Sequence, residues 1–313
     1  MTTVAPAATT VPAPGRAPAR RSRGAAGRES LAAWGLLAPN LLLFGVFLVL
    51  PLLATFVLSL YSSSGFGPRE FVGADNYTEL AGDATFWRSA LNTAVYALLT
   101  VPLALAIGLA VALAMNRPLR GRGALRAVYY VPYVISGVVV AIAGRYVFNE
   151  NVGIINRVLR ALGGDGVAWQ SEAVPAMASL VLISVWTKIG FCMVVYLAAL
   201  QGVPRDYLEA ASMDGAGRWQ QLRYIVVPLL RPTTLFLVVL GVIESFQVFD
   251  VVYVLTGGGP GNATEMLVTY AYAEGFDARR QGYAATIGVV TYLVIGVLTA
   301  LWWRRQQAQE ADQ

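Results

Sequence analysis

The stretch Gly202-Val203-Pro204-Arg205-Asp206-Tyr207-Leu208-Glu209-Ala210-Ala211-Ser212-Met213-Asp214-Gly215 is a charged interlude between two long apolar runs. It continues Ala216-Gly217-Arg218-Trp219-Gln220-Gln221-Leu222-Arg223-Tyr224-Ile225-Val226-Val227-Pro228. Pro204 suits a first helical turn, where its missing N–H costs nothing. Asp206 and Glu209 then lie near the positive end of the helix dipole. Leu208, Ala211 and Ser212 share one face at i, i+3 and i+4, and Ala210 and Ala211 are small enough to admit a closely approaching surface. Gly215 can take the left-handed conformation that ends a helix sharply. A second short helix is expected after it, with Trp219, Leu222 and Ile225 or Val226 on an apolar side, until Pro228 opens the next run. Composition and spacing alone describe an interfacial helix-turn-helix between two membrane spans.

Working outward, six apolar stretches approach or exceed the ~20 residues that cross a bilayer. They fall near Leu36–Leu60, Ala90–Met115, Ala127–Phe148, Val174–Leu200, Leu229–Leu255 and Ala284–Trp303. The fold class expected is all-α and polytopic. Arginine placement sets the orientation. Arg16, Arg20, Arg21, Arg23 and Arg28 precede the first span; Arg117, Arg120, Arg122 and Arg126 fill the second connection with no acid among them. Arg205, Arg218 and Arg223 lie in the fourth, and Arg304-Arg305 follow the last span. The other connections are balanced or acidic, so both termini and the two Arg-rich loops are expected to be cytoplasmic. Residues Met1–Gly27 are rich in Ala, Pro, Thr and Arg, which reads as a disordered tail. The competing reading is a cleaved signal peptide, but the following apolar run exceeds the 7–15 residues of a signal.

The 313 residues are 57% hydrophobic and only 13% charged, against about 25% charged in a soluble domain. Histidine is absent, which excludes His general bases and His-ligated metals. The single cysteine, Cys192, lies in an apolar run and reads with Met193 as packing. Lys188 is the only lysine and follows Val185-Trp186-Thr187, so no phosphate-binding Gly-x-x-x-x-Gly-Lys exists in this chain. The net charge of +5 reads as positive-inside bias, with no call for nucleic acid.

Glu209-Ala210-Ala211, Gly215, Ile225 and Pro228, at their spacing, resemble the Glu-Ala-Ala loop of permease subunits from binding-protein-dependent ABC importers. Val227 stands where that family usually has Leu, and Leu222 where it often has an aromatic residue. Phe71-Val72-Gly73-Ala74-Asp75-Asn76-Tyr77 is similar to the segment ahead of the core helices in its sugar permeases. Phe249-Asp250-Val251-Val252-Tyr253-Val254-Leu255-Thr256-Gly257-Gly258-Gly259-Pro260 resembles their fifth-span exit, which Ala263-Thr264-Glu265 through Tyr270 continues. The likeness runs from about Leu36 to Trp303 and favours the first permease of the pair in maltose, glycerol 3-phosphate and multiple-sugar systems. It implies a type I importer permease in a bacterial plasma membrane. The implied partners are a second homologous permease, two ATP-binding subunits, an extracytoplasmic sugar-binding protein, the sugar itself and membrane lipid. It implies no cofactor or metal and no catalysis by this chain, because ATP is bound by a partner. By the same resemblance Glu209, Ala210, Ala211, Asp214, Gly215, Ile225 and Pro228 form the loop that couples to the ATPase.

The expected organisation is a tail over 1–30, a first span with its external loop over 31–86, and a core over 87–303 carrying the coupling loop 201–228. A cytoplasmic tail, 304–313, follows. Within the spans, Lys188, Glu244 and Asp250 are ionisable residues where charge is costly and commonly functional. Lys188 and Glu244 fall at similar depths, so an ion pair is geometrically open. On a continuous helix Glu244, Gln247 and Asp250 would form one polar strip. Structural pairing, a polar lining for a hydroxyl-rich solute and proton coupling all remain open, with Gln247 and Ser245 the better hydrogen-bonding residues for a solute. Arg145 is expected to snorkel at the outer end of the third span. Rival readings are an ion-coupled secondary sugar transporter, an ABC permease for a non-sugar solute, and a membrane-embedded enzyme. The first lacks an evident internal repeat here; the last lacks His and clustered carboxylates.

Overall fold

Apolar runs this long satisfy their backbone groups internally, and helix is the form that does so within one segment. The computed structural model describes residues 23–311 apart from 66, 118 and 119. Its elements are α1 (Arg23–Phe44), α2 (Leu50–Leu58), a two-stranded ribbon β1 (Tyr61–Ser62) and β2 (Glu70–Phe71), α3 (Asp75–Gly82) and α4 (Ala84–Met115). Then follow α5 (Arg122–Val134), α6 (Gly137–Val147), α7 (Ile154–Ala161), α8 (Ala173–Gln201), α9 (Arg205–Met213) and α10 (Arg218–Gln221). The chain closes with α11 (Val227–Leu229), α12 (Arg231–Phe246), α13 (Asp250–Leu255), α14 (Leu267–Tyr272) and α15 (Gln281–Ala311). Trp34–Leu58, Ala84–Met115, Ala173–Gln201 and Gln281–Trp302 are each long and apolar enough to cross a membrane, and two bent pairs raise the number to six.

Two of the expected spans are bent. The third span is α5 and α6, which meet at 97°. Pro132 in the last turn of α5 removes a helical donor, and Ile135 and Ser136 are extended (ψ 141° and 134°) before Gly137 restarts the helix. The fifth span bends by 64° between Arg218–Leu229 and Arg231–Phe246, with Pro232 just inside α12. It then stops at Phe246 and restarts at Asp250, so the expected continuous helix to Leu255 does not form. Two wide π turns have one cause. Leu50 N–H reaches back to Gly45 O just before Pro51, and Val227 N–H to Leu222 O just before Pro228. In each case the proline cannot donate to the carbonyl four residues back, and the helix widens around the orphan.

The expected tail, 1–30, lies largely outside the described residues, but α1 already begins at Arg23. Ala25, Ala26, Arg28 and Glu29 are good helix formers continuous with the first span. At the other end α15 carries its helix through Ala311, past the expected end of the last span.

The chain divides into two compact units, 1–54 and 55–313. Within the second unit, residues 59–83 are tied down by polar contacts. Asn76 Nδ2 donates to Ser59 O (2.8 Å) and Tyr61 O (3.1 Å), and Gln281 N–H to Ser63 O (2.8 Å). Asp83 caps α4, accepting from Thr85 N–H at 2.8 Å, while the phenols of Tyr270 and Tyr283 both donate to its other oxygen. Burial pushes the Asp83 carboxyl up, yet these hydrogen bonds outweigh it and hold the pKa below the usual carboxylate value. Arg280 bridges Glu79 and Glu274 beside it. Beneath, Leu80, Phe86, Leu267 and Ile287 make one buried cluster.

Inside the second unit α4 packs along α8. Val101, Ala104, Leu105 and Ala112 meet Cys192, Met193, Tyr196 and Leu197, with Leu237 of α12 closing the cluster. Cys192 and Met193 are thus packing residues, as their apolar setting implies. Gly108 abuts Cys192, and Gly190 is pressed on the backbone of Tyr129 and Tyr130, where no Cβ would fit. Arg145 is exposed on α6.

Candidate functional site

The two helix breaks face each other across a cavity of about 450 Å³. Tyr133, Ile135 and Gly137 enter from the α5–α6 break, Gln247 through Asp250 from the α12–α13 break, and Lys188 from the middle of α8. Breaks of this kind are tolerated at membrane depth where they line a polar cavity. Lys188 Nζ donates to Glu244 Oε2 at 2.8 Å, with the two side chains 18% and 33% exposed. Glu244 is thereby half-buried but paired, which meets the requirement that a charge in a low-dielectric setting have a partner.

Asp250 is exposed in the cavity and sits in the first turn of α13. A Cβ added to Gly137, the first residue of α6, would lie 3.1 Å from Asp250 Oδ2. The carboxylate therefore stands at the amino end of an eleven-residue helix, where the dipole favours negative charge. Gln247 is also exposed to the cavity. Gln247 stays on the Glu244 side of α12, its N–H still bonded to Ile243 O at 3.2 Å, while the break at Val248–Phe249 lets Asp250 line the same cavity. Ser245 is placed elsewhere: it is fully buried, and its hydroxyl is spent on Gly241 O at 2.7 Å. It cannot serve as a solute contact in this arrangement. The sequence reading missed Tyr96, Tyr133, Gly137 and Phe249, all of which line the chamber. Pro132 with Ser136-Gly137 was the signal available. Phe249 also stacks on Tyr253 at 5.1 Å, and both rings approach Tyr272.

The second site is the hairpin at the end of α8. Pro204 is the cap of α9 rather than its first helical residue, with ψ of 132°. Asp206 occupies the first turn and, with Glu209, is exposed. Leu208 and Ala211 are half-buried toward the membrane unit, whereas Glu209, Ala210, Ser212 and Asp214 are exposed. Gly215 turns the chain at φ +82° with open space around it. Ala216 N–H returns to Ala211 O at 2.8 Å and Asp214 N–H to Ala210 O at 3.1 Å, which closes the helix end. Gln221 Nε2 donates to Ser212 Oγ (2.8 Å) and Ala216 O (3.1 Å), tying α10 to α9. Ile225 and Pro228 are half-buried in the following π turn and α11. Leu222 and Val226 turn inward as expected, but Trp219 does not, being 74% exposed. Trp219 lies in the first turn of α10, at the exposed edge of the hairpin. Met213, 89% exposed, and Tyr207 add apolar surface on the outer side of α9.

A bundle of broken spans around a polar chamber, with a hairpin standing off one end, is the architecture of a membrane transport component. Residues 104–308 match the family described as the binding-protein-dependent transport system inner membrane component. The trehalose/maltose transport system permease protein MalF of Thermococcus litoralis is 33% identical over 276 residues, covering 88% of this chain and 93% of that protein. The lactose transport system permease protein LacF of Rhizobium radiobacter is 34% identical over 274 residues, covering 86% and 91%. In fold, a chain from a bacterial ABC transporter involved in import of the acidic polysaccharide alginate matches with a TM-score of 0.79, over 91% of this chain and 98% of that one, at 24% identity. The chain belongs to the binding-protein-dependent transport inner membrane family, and it has the fold of a type I ABC importer permease.

Proposed function

We propose that this chain is the pathway-forming permease of an ATP-driven importer for a sugar or closely related hydroxyl-rich solute. A second homologous permease completes the pathway, two ATP-binding subunits drive it, and an extracytoplasmic binding protein delivers the solute. The observation that carries this reading is that one unbroken helix, α8, joins the polar chamber at Lys188 to the exposed hairpin beginning at Arg205. Relatives named for trehalose, maltose and lactose support the solute class.

In this reading Glu209, Ala210, Ala211, Asp214, Gly215, Ile225 and Pro228 form the ATPase-coupling loop. The exposed small residues allow close docking, and the Gly215 turn and Gln221 tie keep the hairpin stiff. Both termini and the Arg-rich loops are cytoplasmic. Lys188, Glu244, Gln247 and Asp250 belong to the pathway, with the ion pair fixing the helices and Gln247 and Asp250 free to accept or donate toward hydroxyls. The chain itself performs no covalent chemistry. ATP must then favour one access state over the other by several kcal/mol to shift the population substantially.

The test is uptake into proteoliposomes holding the chain with the subunits that co-purify with it. Uptake of labelled disaccharide that requires both ATP and the external binding protein is the expected result. Uptake driven by a proton or sodium gradient alone would put the secondary transporter ahead. Purification of the chain without any ATPase would remove the argument from the hairpin.

A further inference from the structure

A second cavity, of about 700 Å³, lies where α4 and α8 end and where α9 and α10 fold across them. Its floor is apolar, built from Leu113, Leu200, Leu208, Leu222 and Val226. Around it stand Arg117, Arg205 and Arg218, supplied by three separate segments. No Asp or Glu lines the cavity, and none of these three guanidiniums forms an ion pair among the described residues.

Three like charges converging unpaired on apolar walls are mutually repulsive, and an anion seated between them relieves that repulsion. A small soluble anion would meet the arginines but leave the apolar floor wet. An amphiphile satisfies both. The level is also right for one: α4 and α8 are membrane-length helices that end at Met115 and Gln201, and the arginines follow within two to four residues at Arg117 and Arg205. Trp219, exposed at the rim of the same cavity, is a side chain suited to the headgroup region. Basic pockets between spanning helices are recognised seats for anionic headgroups.

We propose that this cavity binds the phosphate of an anionic glycerophospholipid through Arg117, Arg205 and Arg218, with the acyl chains running along Leu113, Leu200 and Val226. The bound lipid then bridges the end of α4 to the α9–α10 hairpin. The proposal stands on the cavity alone and is independent of which solute is carried.

The test uses the full-length chain with its co-purifying subunits, delipidated in detergent. It is titrated with dioleoyl phosphatidylglycerol, dioleoyl phosphatidylcholine or inorganic phosphate, and retained lipid is counted by native mass spectrometry. Phosphatidylglycerol should be retained well below the concentration at which phosphatidylcholine is. Arg117→Gln with Arg218→Gln should weaken retention by about fivefold per arginine. Arg117→Lys with Arg218→Lys should restore most of it, which separates charge from misfolding, and Arg157→Gln on α7 should change nothing. If the glutamine variant fails to fold, the wild type still decides the matter, because retention of phosphatidylglycerol should fall steeply as salt is raised. Equal retention of the two lipids, or undiminished retention in a folded glutamine variant, overturns the proposal. Displacement of the lipid by millimolar inorganic phosphate would overturn it too, and would make this a soluble-anion site.

Discussion

The chamber and the hairpin are built on opposite principles. The chamber is assembled from residues far apart in the chain: Lys188 meets Glu244 at 2.8 Å across 56 positions, and two helix breaks supply the rest. The hairpin is local: Ala216 returns to Ala211 and Gln221 to Ser212, all within ten residues. The Lys188 and Glu244 charges are largely withdrawn from solvent and paired, whereas charge on the hairpin is exposed and free to meet another surface. A long-range polar site is stable only while its helices hold position, which makes it sensitive to packing. A locally bonded loop keeps its shape while the helices around it move.

The largest effect should come from splitting the ion pair. Lys188→Met alone leaves Glu244 unpaired at membrane depth, and should destabilise the folded chain by about 3 kcal/mol, read by thermal unfolding in detergent. Adding Glu244→Gln should recover most of that loss. A double variant as unstable as the single one would mean that packing of the lysine stem, and not pairing, is what matters.

Next, Gly215→Val places a branched side chain at φ +82°, a strain of about 1–2 kcal/mol. The open space around the turn removes any clash but not this strain, so stability should fall by about 1–2 kcal/mol while uptake falls sharply and ATP hydrolysis persists uncoupled. Normal uptake by the inserted variant would defeat the coupling role. Glu209→Lys should likewise reduce recovery of the ATPase in a pull-down without affecting insertion, and undiminished recovery would count against docking there.

Gln221→Ala removes two side-chain hydrogen bonds at an exposed site, and should cost about 1 kcal/mol or less. Hydrogen exchange should rise in α9 and α10 and stay unchanged in α8. Faster exchange throughout α8 would show that hairpin and chamber are less separable than their contacts imply.

The smallest effect is a pH dependence at Asp83, the cap of α4. The folded pKa of Asp83 lies below its unfolded value, so its contribution to stability is fully present above the ordinary carboxylate range and is lost as pH falls through the depressed folded value. Acidification below about pH 4 should therefore weaken the wild type more steeply than Asp83→Asn. Parallel acid profiles for the two would place the dominant carboxylate elsewhere.

The same division explains what could be read beforehand. The hairpin was legible almost residue by residue, because caps, the glycine turn and the i, i+3, i+4 face are set within one or two turns of helix. Trp219 escaped because it lies in the first turn of the four-residue α10, at the exposed edge of the hairpin, where helical spacing says little about burial. In the chamber, the depth match of Lys188 and Glu244 was legible from span positions. Gln247 does follow Glu244 along α12, as helical spacing predicts, but Asp250 reaches the chamber across the break at Val248–Phe249 and not along a continuous helix. Ser245 looked polar and available, but a serine hydroxyl in a helix readily turns to the carbonyl four residues back, here Gly241 O. The docking of the loop between α2 and α4 onto α15 had no periodic signal, since it rests on single polar contacts such as Gln281 to Ser63 and Thr286 to Ser59.

The uninterrupted run of α8 has a mechanical consequence. Lys188 stands thirteen residues from Gln201, about 20 Å along the axis at 1.5 Å per residue. A tilt of about 10° pivoting at the Gln201 end would carry Lys188 sideways by about 3–4 Å, more than the reach of its hydrogen bond to Glu244. In the proposed importer, α8 would serve as a lever arm with the hairpin at its pivot end and the Lys188–Glu244 pair as a latch at its midpoint. A modest rocking of one helix suffices to open that latch without unwinding anything.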